Sequence, residues 1–461
     1  MTLVVIDAVG LTPRALTHMP RLRRLAGTGF QARVDPVLPA VTCSVQSSFV
    51  TGLEPTDHGI VGNGWYFRDL GEVFLWRQHN KLVQGEKVWE TARRAKPDFK
   101  VANVCWWYAM GDTTDLTVTP RPIYFADGKK EPDCYTWPPA LHDRLTGALG
   151  EFPLFTYWGP TANITSSRWI AQAARKLLDE EQLDMLLVYL PHLDYDHQRF
   201  GPGAVESAAS AAELDDVAGD LVEHAQSRGD TVVVLSEYGI TDARRPVDVN
   251  RALRRAGLLE VYTQAGMEYL DPWASRAFAV ADHQIAHVYV KDEADMQATR
   301  DAIAGLRGLE LALEGDARRD AGLGHERAGE IVLVAEPDAW FTYYYWLDDD
   351  RAPDFARNVE IHRKPGYDPA ELFFDPADKL AKPKAGATLL RKKLGFRYSM
   401  QVVPLDPSCV RGSHGRLPDG PDDAPVLLCS DPALARDRIA ATGVRDLLLE
   451  LAGVPVPQAA A

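Results

Sequence analysis

Four short apolar runs, each handing over to a polar loop, constrain the fold of this chain more than any other feature. They are TLVVI at residues 2–6, VANVC at 101–105, DMLLVYL at 184–190 and TVVVL at 231–235. Runs that are apolar at almost every position, rather than at alternate ones, belong to parallel strands covered on both faces. Stretches of helical periodicity at 19–27, 165–180 and 204–227 fall between them, so strand and helix alternate. That alternation predicts an α/β fold with a doubly wound, mostly parallel sheet and helices on both faces. In such a sheet the chemistry collects on the loops at the carboxyl ends of the strands. Here those loops begin at Asp7, at PHLDYDHQRFGPG (191–203) and at SEYGITDARR (236–245).

With 461 residues the chain is too long for one simple core. The pattern predicts a catalytic core over 1–260, with an aromatic-rich insertion at about 65–140. A smaller α+β cap follows over 261–402, with short strands and one helix at 293–304, and the chain returns to the core over 403–461, ending in a helix at 433–452. A net charge of −15 argues against nucleic-acid polymers and anionic membranes as partners. The five cysteines are odd in number and far apart, which suits a reducing compartment. No run approaches the ~18 apolar residues of a membrane span, and the first residues read as a buried strand, so the expectation is a cytoplasmic protein.

Residues 38–63, LPAVTCSVQSSFVTGLEPTDHGIVGN, set three nucleophile candidates, Thr42, Cys43 and Ser44, just ahead of an apolar helical run. A helix start at the sheet edge offers unpaired N–H groups to an anion. The reading is therefore an attack on an anionic substrate, a phosphate ester. Other hydrolase chemistries fail on spacing. The cysteine continues as CSVQS rather than Cys-x-Pro-x-Arg, no Cys-x5-Arg loop follows it, and Ser44 and Ser47 lack a G-x-S-x-G context.

The segment VTGLEPTDHGIVGN is similar to the one that follows the catalytic threonine in the nucleotide pyrophosphatase/phosphodiesterase family of the alkaline phosphatase superfamily. Counting back from it puts Thr42 on the nucleophile. The resemblance implies an alkaline phosphatase-like fold and two divalent metal ions, zinc in the first place. It implies Asp7, Thr42 and an Asp-His pair for one ion, and an Asp-x-x-x-His pair with a late histidine for the other. In this chain the first pair is Glu237 and Tyr238. The second begins at Asp194, with Gln198 four residues on and His197 three, and His414 in GSHG is the late histidine. Tyrosine and glutamine are poor replacements for imidazole, so manganese or magnesium is the alternative to zinc. The family's oxyanion asparagine falls on Val45, leaving Gln46 or backbone N–H groups for that task.

For substrate contacts the candidates are Gln46, Asn63, Trp106, Trp107 and Lys364, the tryptophans as a wall for a flat group and Lys364, with Arg363, as a phosphate contact. His283, His287 and His362 read as cap or core residues, and His58 as part of a structural turn. The expected function is hydrolysis of phosphodiester or pyrophosphate bonds in a small substrate through a phospho-threonine. The alternatives are a phosphomonoesterase or phosphonate hydrolase on the same scaffold, and a metal-depleted binding protein.

Overall fold

The structure, a computed structural model, describes residues 1–126, 129–360, 364–367, 369–394 and 400–457. Its central sheet has nine strands: β1 (Leu3–Ala8), β2 (Phe30–Asp35), β3 (Val101–Val104), β4 (Leu116–Pro120), β5 (Cys134–Trp137), β6 (Met185–Leu190), β7 (Thr231–Leu235), and two late strands that close the edge. β1 runs parallel to β6 on one side and β7 on the other, and Asp7 is level with Tyr189 and Leu235. The residues that follow all three strands therefore emerge at one height. Main-sheet helices include α1 (Pro20–Thr28), α2 (Thr42–Thr51), α3 (Ile164–Glu180), α4 (His192–Phe200) and α5 (Val205–Ser227). The apolar strands and the buried faces of α3 and α5 share one core.

A second, antiparallel sheet stands over that edge. Its strands are β8 (Ala277–Asp282), β9 (Ile285–Val290), β10 (Leu309–Glu314) and β11 (Ile331–Ala335), in the order β8-β9-β11-β10. Both β8 and β9 are buried at every position and belong to a second core with the aromatic run at Tyr343 to Trp346. They meet through a two-residue loop, His283 and Gln284. The chain then returns as β12 (Val426–Cys429), antiparallel to β7 and β2, and β13 (Arg438–Ala440), parallel to β2.

Two expectations change. The stretch at 65–140 is not an insertion, since β3, β4 and β5 are main-sheet strands; β3 is the apolar run at 101–105, and irregular aromatic loops masked the pattern of β4 and β5. The closing helix is only Val444–Leu451, because residues 438–440 pair with β2 instead. Among the described residues no helix is long and apolar enough to cross a membrane. Helix α2 is buried along its whole length and ends at Gly52, whose φ of +69° and close approach to the Arg445 guanidinium favour glycine.

His287 on β9 pins the second sheet to the nucleophile loop. Its Nε2–H donates to the Val61 carbonyl at 2.8 Å, and its Nδ1 accepts from the Gly329 N–H at 3.2 Å. The second bond needs the neutral ring, and burial lowers the imidazole to about 4. Between about 4 and the ordinary 6.5 the unfolded chain binds a proton that the folded one refuses. Stability is therefore complete above that window and is lost as the pH falls through it, by roughly 3 kcal/mol for this residue. Urea unfolding at pH 7.5 and 5.0 checks this: His287→Gln should shrink the pH dependence of the midpoint by about one proton's worth.

Candidate active site

Thr42 is the first residue of α2, behind an N-cap, Val41, that offers no side-chain acceptor. Its hydroxyl faces the cavity at the carboxyl edge and is 2% exposed. The next residue's N–H, on Cys43, donates to Asn63 Oδ1 at 3.0 Å, so the DHGIVGN loop is tied to the first turn of the helix. His58 serves that loop: its ring bonds Ser48 Oγ at 3.0 Å and accepts from the Ile60 N–H at 3.1 Å, as a structural turn requires.

On one side of Thr42 lie two buried carboxyl groups, Asp7 at the end of β1 and Glu237 just beyond β7. The Gln46 amide sits between them, Nε2 donating to Asp7 Oδ2 at 2.9 Å and to Glu237 Oε1 at 2.7 Å. Its Oε1 is fixed by the Trp107 N–H at 2.8 Å. Gln46 is thus committed to the two carboxyl groups. Burial pushes Asp7 up to about 7, and burial beside Asp7 pushes Glu237 well above the usual range. The other two oxygens, Asp7 Oδ1 and Glu237 Oε2, are buried without a hydrogen-bond partner. Two orphaned carboxylate oxygens, on groups brought together by the Gln46 amide, are all-oxygen donors of the kind that fits a hard divalent cation of the magnesium or manganese type.

On the other side stand Asp194, in the first turn of α4, with Tyr238 and His414. The Tyr238 hydroxyl donates to Asp194 Oδ1 at 3.3 Å, which leaves its oxygen to accept from Thr42 Oγ1–H at 3.1 Å. Tyr238 lies flat on His414, ring centroids 3.7 Å apart and planes 3° from parallel. The His414 Nδ1–H donates to the Ala40 carbonyl at 3.1 Å, and Nε2 stands 3.8 Å from Asp194 Oδ1. Gln198 shares a helix face with Asp194 at i+4 and forms no hydrogen bond of ordinary geometry. One carboxylate, one imidazole and an amide, with the carboxylate oxygen nearest the imidazole already taken by Tyr238, do not fit a zinc site. The arrangement does suit proton removal. The Thr42 hydroxyl is bonded to Tyr238 and Tyr238 to Asp194, which burial raises to about 6, so the three form a path along which a proton can pass.

The cavity itself is narrow, about 30 Å³, and rimmed by Trp76, Trp107, Trp158 and Tyr367. Trp107 is placed as a wall residue, whereas Trp106 packs into the core against Phe49. Asn63 does not line the cavity but joins Cys43 to Asp282. Lys364 is buried in an ion pair with Glu371 at 2.6 Å and is not among the lining residues. His197 turns away from Asp194 toward Gly10 and is lowered by burial to about 4. His362 and Arg363 lie outside the described residues. His283, expected as a cap or core residue, is a buried residue of the cap that also lines the cavity, its ring centroid 3.9 Å from that of His414. Nothing in the local sequence marks it, because a hairpin tip from another sheet brings it there.

Comparison with known proteins follows the same lines. The model of the family described as type I phosphodiesterase / nucleotide pyrophosphatase matches residues 3–368. An uncharacterized pyrophosphatase/phosphodiesterase of Schizosaccharomyces pombe is 24% identical over 253 residues, 53% of this chain and 43% of the relative, so the match spans less than half of that relative's length. Murine ectonucleotide pyrophosphatase / phosphodiesterase 5 superposes with a TM-score of 0.60 at 14% identity, covering 100% of this chain and 98% of its own. An inactive threonine-to-alanine variant of the murine protein, in complex with AMP, gives 0.58 at 13%, covering 100% and 97%. Phosphonoacetate hydrolase from Sinorhizobium meliloti 1021, in complex with phosphonoformate, gives 0.61 at 15%, covering 98% and 96%. At these identities the structures establish a shared fold.

The Gln46 bridge can be weighed in chelator-treated protein. Gln46→Leu leaves two buried carboxyl groups without their shared donor and should lower unfolding stability by about 2–4 kcal/mol. Adding Asp7→Asn should restore part of that loss, and urea unfolding of the single and double variants measures both.

Proposed function

The chain belongs to the type I phosphodiesterase / nucleotide pyrophosphatase family, and from that premise we propose that it hydrolyses phosphoester or phosphoanhydride bonds through a phospho-Thr42 intermediate. The observation that carries this is the hydrogen bond from Thr42 through Tyr238 to Asp194 at the start of α2. It orients a nucleophile's proton toward a carboxylate raised enough to take it. Asp7, Glu237 and Thr42 are the residues that hold a divalent cation. Bound there, the cation supplies the positive charge that favours the Thr42 alkoxide and offsets the phosphoryl charge. Among the described residues the second ion implied by the resemblance has no matching donor set, so we infer one ion of the magnesium or manganese type rather than two zinc ions. The AMP held by the murine neighbour supports a small, nucleotide-sized ester as substrate. Trp76, Trp107 and Trp158 offer flat surface for such a group. All five cysteines are unpaired, which supports a reducing, cytoplasmic setting.

A second reading, a non-catalytic phosphate-binding protein, is favoured by one observation: the Tyr238 hydroxyl stands where an imidazole ligand is expected. Turnover separates the two. Wild type with manganese or magnesium should cleave bis-p-nitrophenyl phosphate faster than p-nitrophenyl phosphate, and Thr42→Ala should lose at least about 10³-fold in kcat while its melting transition is retained. Absence of turnover of either ester with any of zinc, manganese or magnesium would leave the binding protein. Calorimetric titration of manganese should give about one site per chain, weakened at least tenfold or so by Asp7→Asn.

A further inference from the structure

The cap contributes a hydrogen-bonded line of three buried side chains that the proposed chemistry has not used. Asp282 Oδ1 and His283 Nδ1 are 2.9 Å apart, and His283 Nε2 and the Tyr367 hydroxyl 2.9 Å. All three are at most 2% exposed, and His283 and Tyr367 line the same cavity as Thr42. The carboxylate only accepts, so Nδ1 carries a proton toward it and Nε2 addresses the tyrosine. Asp282 is itself held by the Asn63 N–H at 2.7 Å and the Asn63 side-chain amide at 3.1 Å. The same asparagine accepts from the Cys43 N–H, so the line is fastened to the first turn of the nucleophile helix.

This line is also built at a backbone cost. His283 has a φ of +59° at the first loop position of the β8–β9 hairpin, a conformation that asparagine or glycine would adopt more readily. The tip is fixed by the Phe341 N–H on the His283 carbonyl at 2.7 Å and by the Gln284 N–H on the His414 carbonyl at 2.9 Å. Tyr367 follows Gly366, where any Cβ would overlap the Tyr343 ring, and its own ring packs edge-on to Trp76 with centroids 5.5 Å apart. Strain retained at a buried polar tip, with every partner oriented, marks a functional position.

We propose that Tyr367, positioned by His283 and Asp282, is the proton donor to the leaving-group oxygen. The proposal rests on the hydrolase reading above and deepens it. On this side of Thr42 the described residues offer Asp194, Gln198 and His414, and the further imidazole, His283, has both nitrogens engaged by Asp282 and Tyr367, so the negative charge that develops on the leaving oxygen is to be met otherwise. In the first step Thr42 Oγ1 bonds to phosphorus as the bond from phosphorus to the leaving oxygen breaks. The Thr42 proton passes through Tyr238 to Asp194. The leaving oxygen takes the Tyr367 proton, and Tyr367 takes one from Nε2 of His283, which enters the step with a proton on each ring nitrogen and keeps the one on Nδ1 toward Asp282. In the second step a water oxygen bonds to phosphorus and the Thr42 ester bond breaks. The water's proton goes to Tyr367, whose own returns to His283, while Asp194 returns its proton through Tyr238 to Thr42. The sum is one ester and one water consumed, one alcohol and one phosphate formed.

The test is the dependence of rate on the leaving group. p-Nitrophenolate departs without a proton, whereas phenolate and above all an alkoxide need one. Wild type and Tyr367→Phe, which retains the ring, are compared on p-nitrophenyl, phenyl and methyl esters of one phosphodiester series, and their melting curves establish folding. The variant should lose about 10²–10³-fold in kcat on the methyl ester and no more than about threefold on the p-nitrophenyl ester. His283→Gln, which keeps a hydrogen-bonding side chain but cannot resupply the proton, should show the same slope with a smaller loss. An equal loss across the series, or none, in a folded variant would overturn the donor role while leaving the hydrolase reading intact. Wild type inert toward every ester would overturn both, and that outcome is distinct because it appears before any substitution.

Discussion

Four carboxyl groups, Asp7, Asp194, Glu237 and Asp282, are buried at one edge of the central sheet, and the rest of the site is arranged around that expense. An uncompensated carboxylate in a protein interior costs several kcal/mol. Each of these has been given donors that are neutral or imidazole: Gln46 for Asp7 and Glu237, Tyr238 for Asp194, Asn63 and His283 for Asp282. Among the described residues no lysine or arginine lines the cavity. A phosphate entering such a space meets negative charge on several sides. It is held only if a cation or bound protons are already there, and the structure provides a place for each.

The two places lie on opposite sides of Thr42. Toward β1 and β7 are the orphaned oxygens of Asp7 and Glu237, suited to a hard cation. Toward the cap are hydroxyls and imidazoles, Tyr238, His414, His283 and Tyr367, suited to moving protons. The division follows from two residue changes relative to the resembling family. Tyrosine at 238 and glutamine at 198 take nitrogen ligands away from one side, and the cap brings a hydrogen-bonded histidine and tyrosine to the same side. The second sheet is therefore part of the active edge, joined to it through Asn63, through His287 on Val61 and through Gln284 on the His414 loop.

Much of this was legible in the residues. The apolar runs marked β1, β3, β6 and β7, and the rule that chemistry follows the strands placed Asp7, Asp194 and Glu237 together before any coordinates. Thr42 came from its position ahead of a buried helix and from the segment after it. Less legible was anything that depended on what lies opposite. Gln46 was expected to face an oxyanion, yet its amide is consumed by two carboxyl groups that come from strands far away in sequence. Lys364, expected to reach phosphate, is paired with Glu371. His197 and Gln198 stand next to each other in the chain, and only the helical turn decides that the glutamine, not the histidine, shares a face with Asp194.

The sequence by itself determined the sheet and the edge at which its polar residues collect, because a strand covered on both faces must be apolar throughout and must release its polar residues at its end. Tertiary structure alone decided the role of the cap. Asp282 and His283 are separated from Thr42 by some 240 residues, and their neighbourhood in the chain, a buried hairpin, carries the same apolar pattern whether its tip points to solvent or to a catalytic cavity. Periodicity reports which face of an element is buried; it carries no record of which buried groups meet across two sheets.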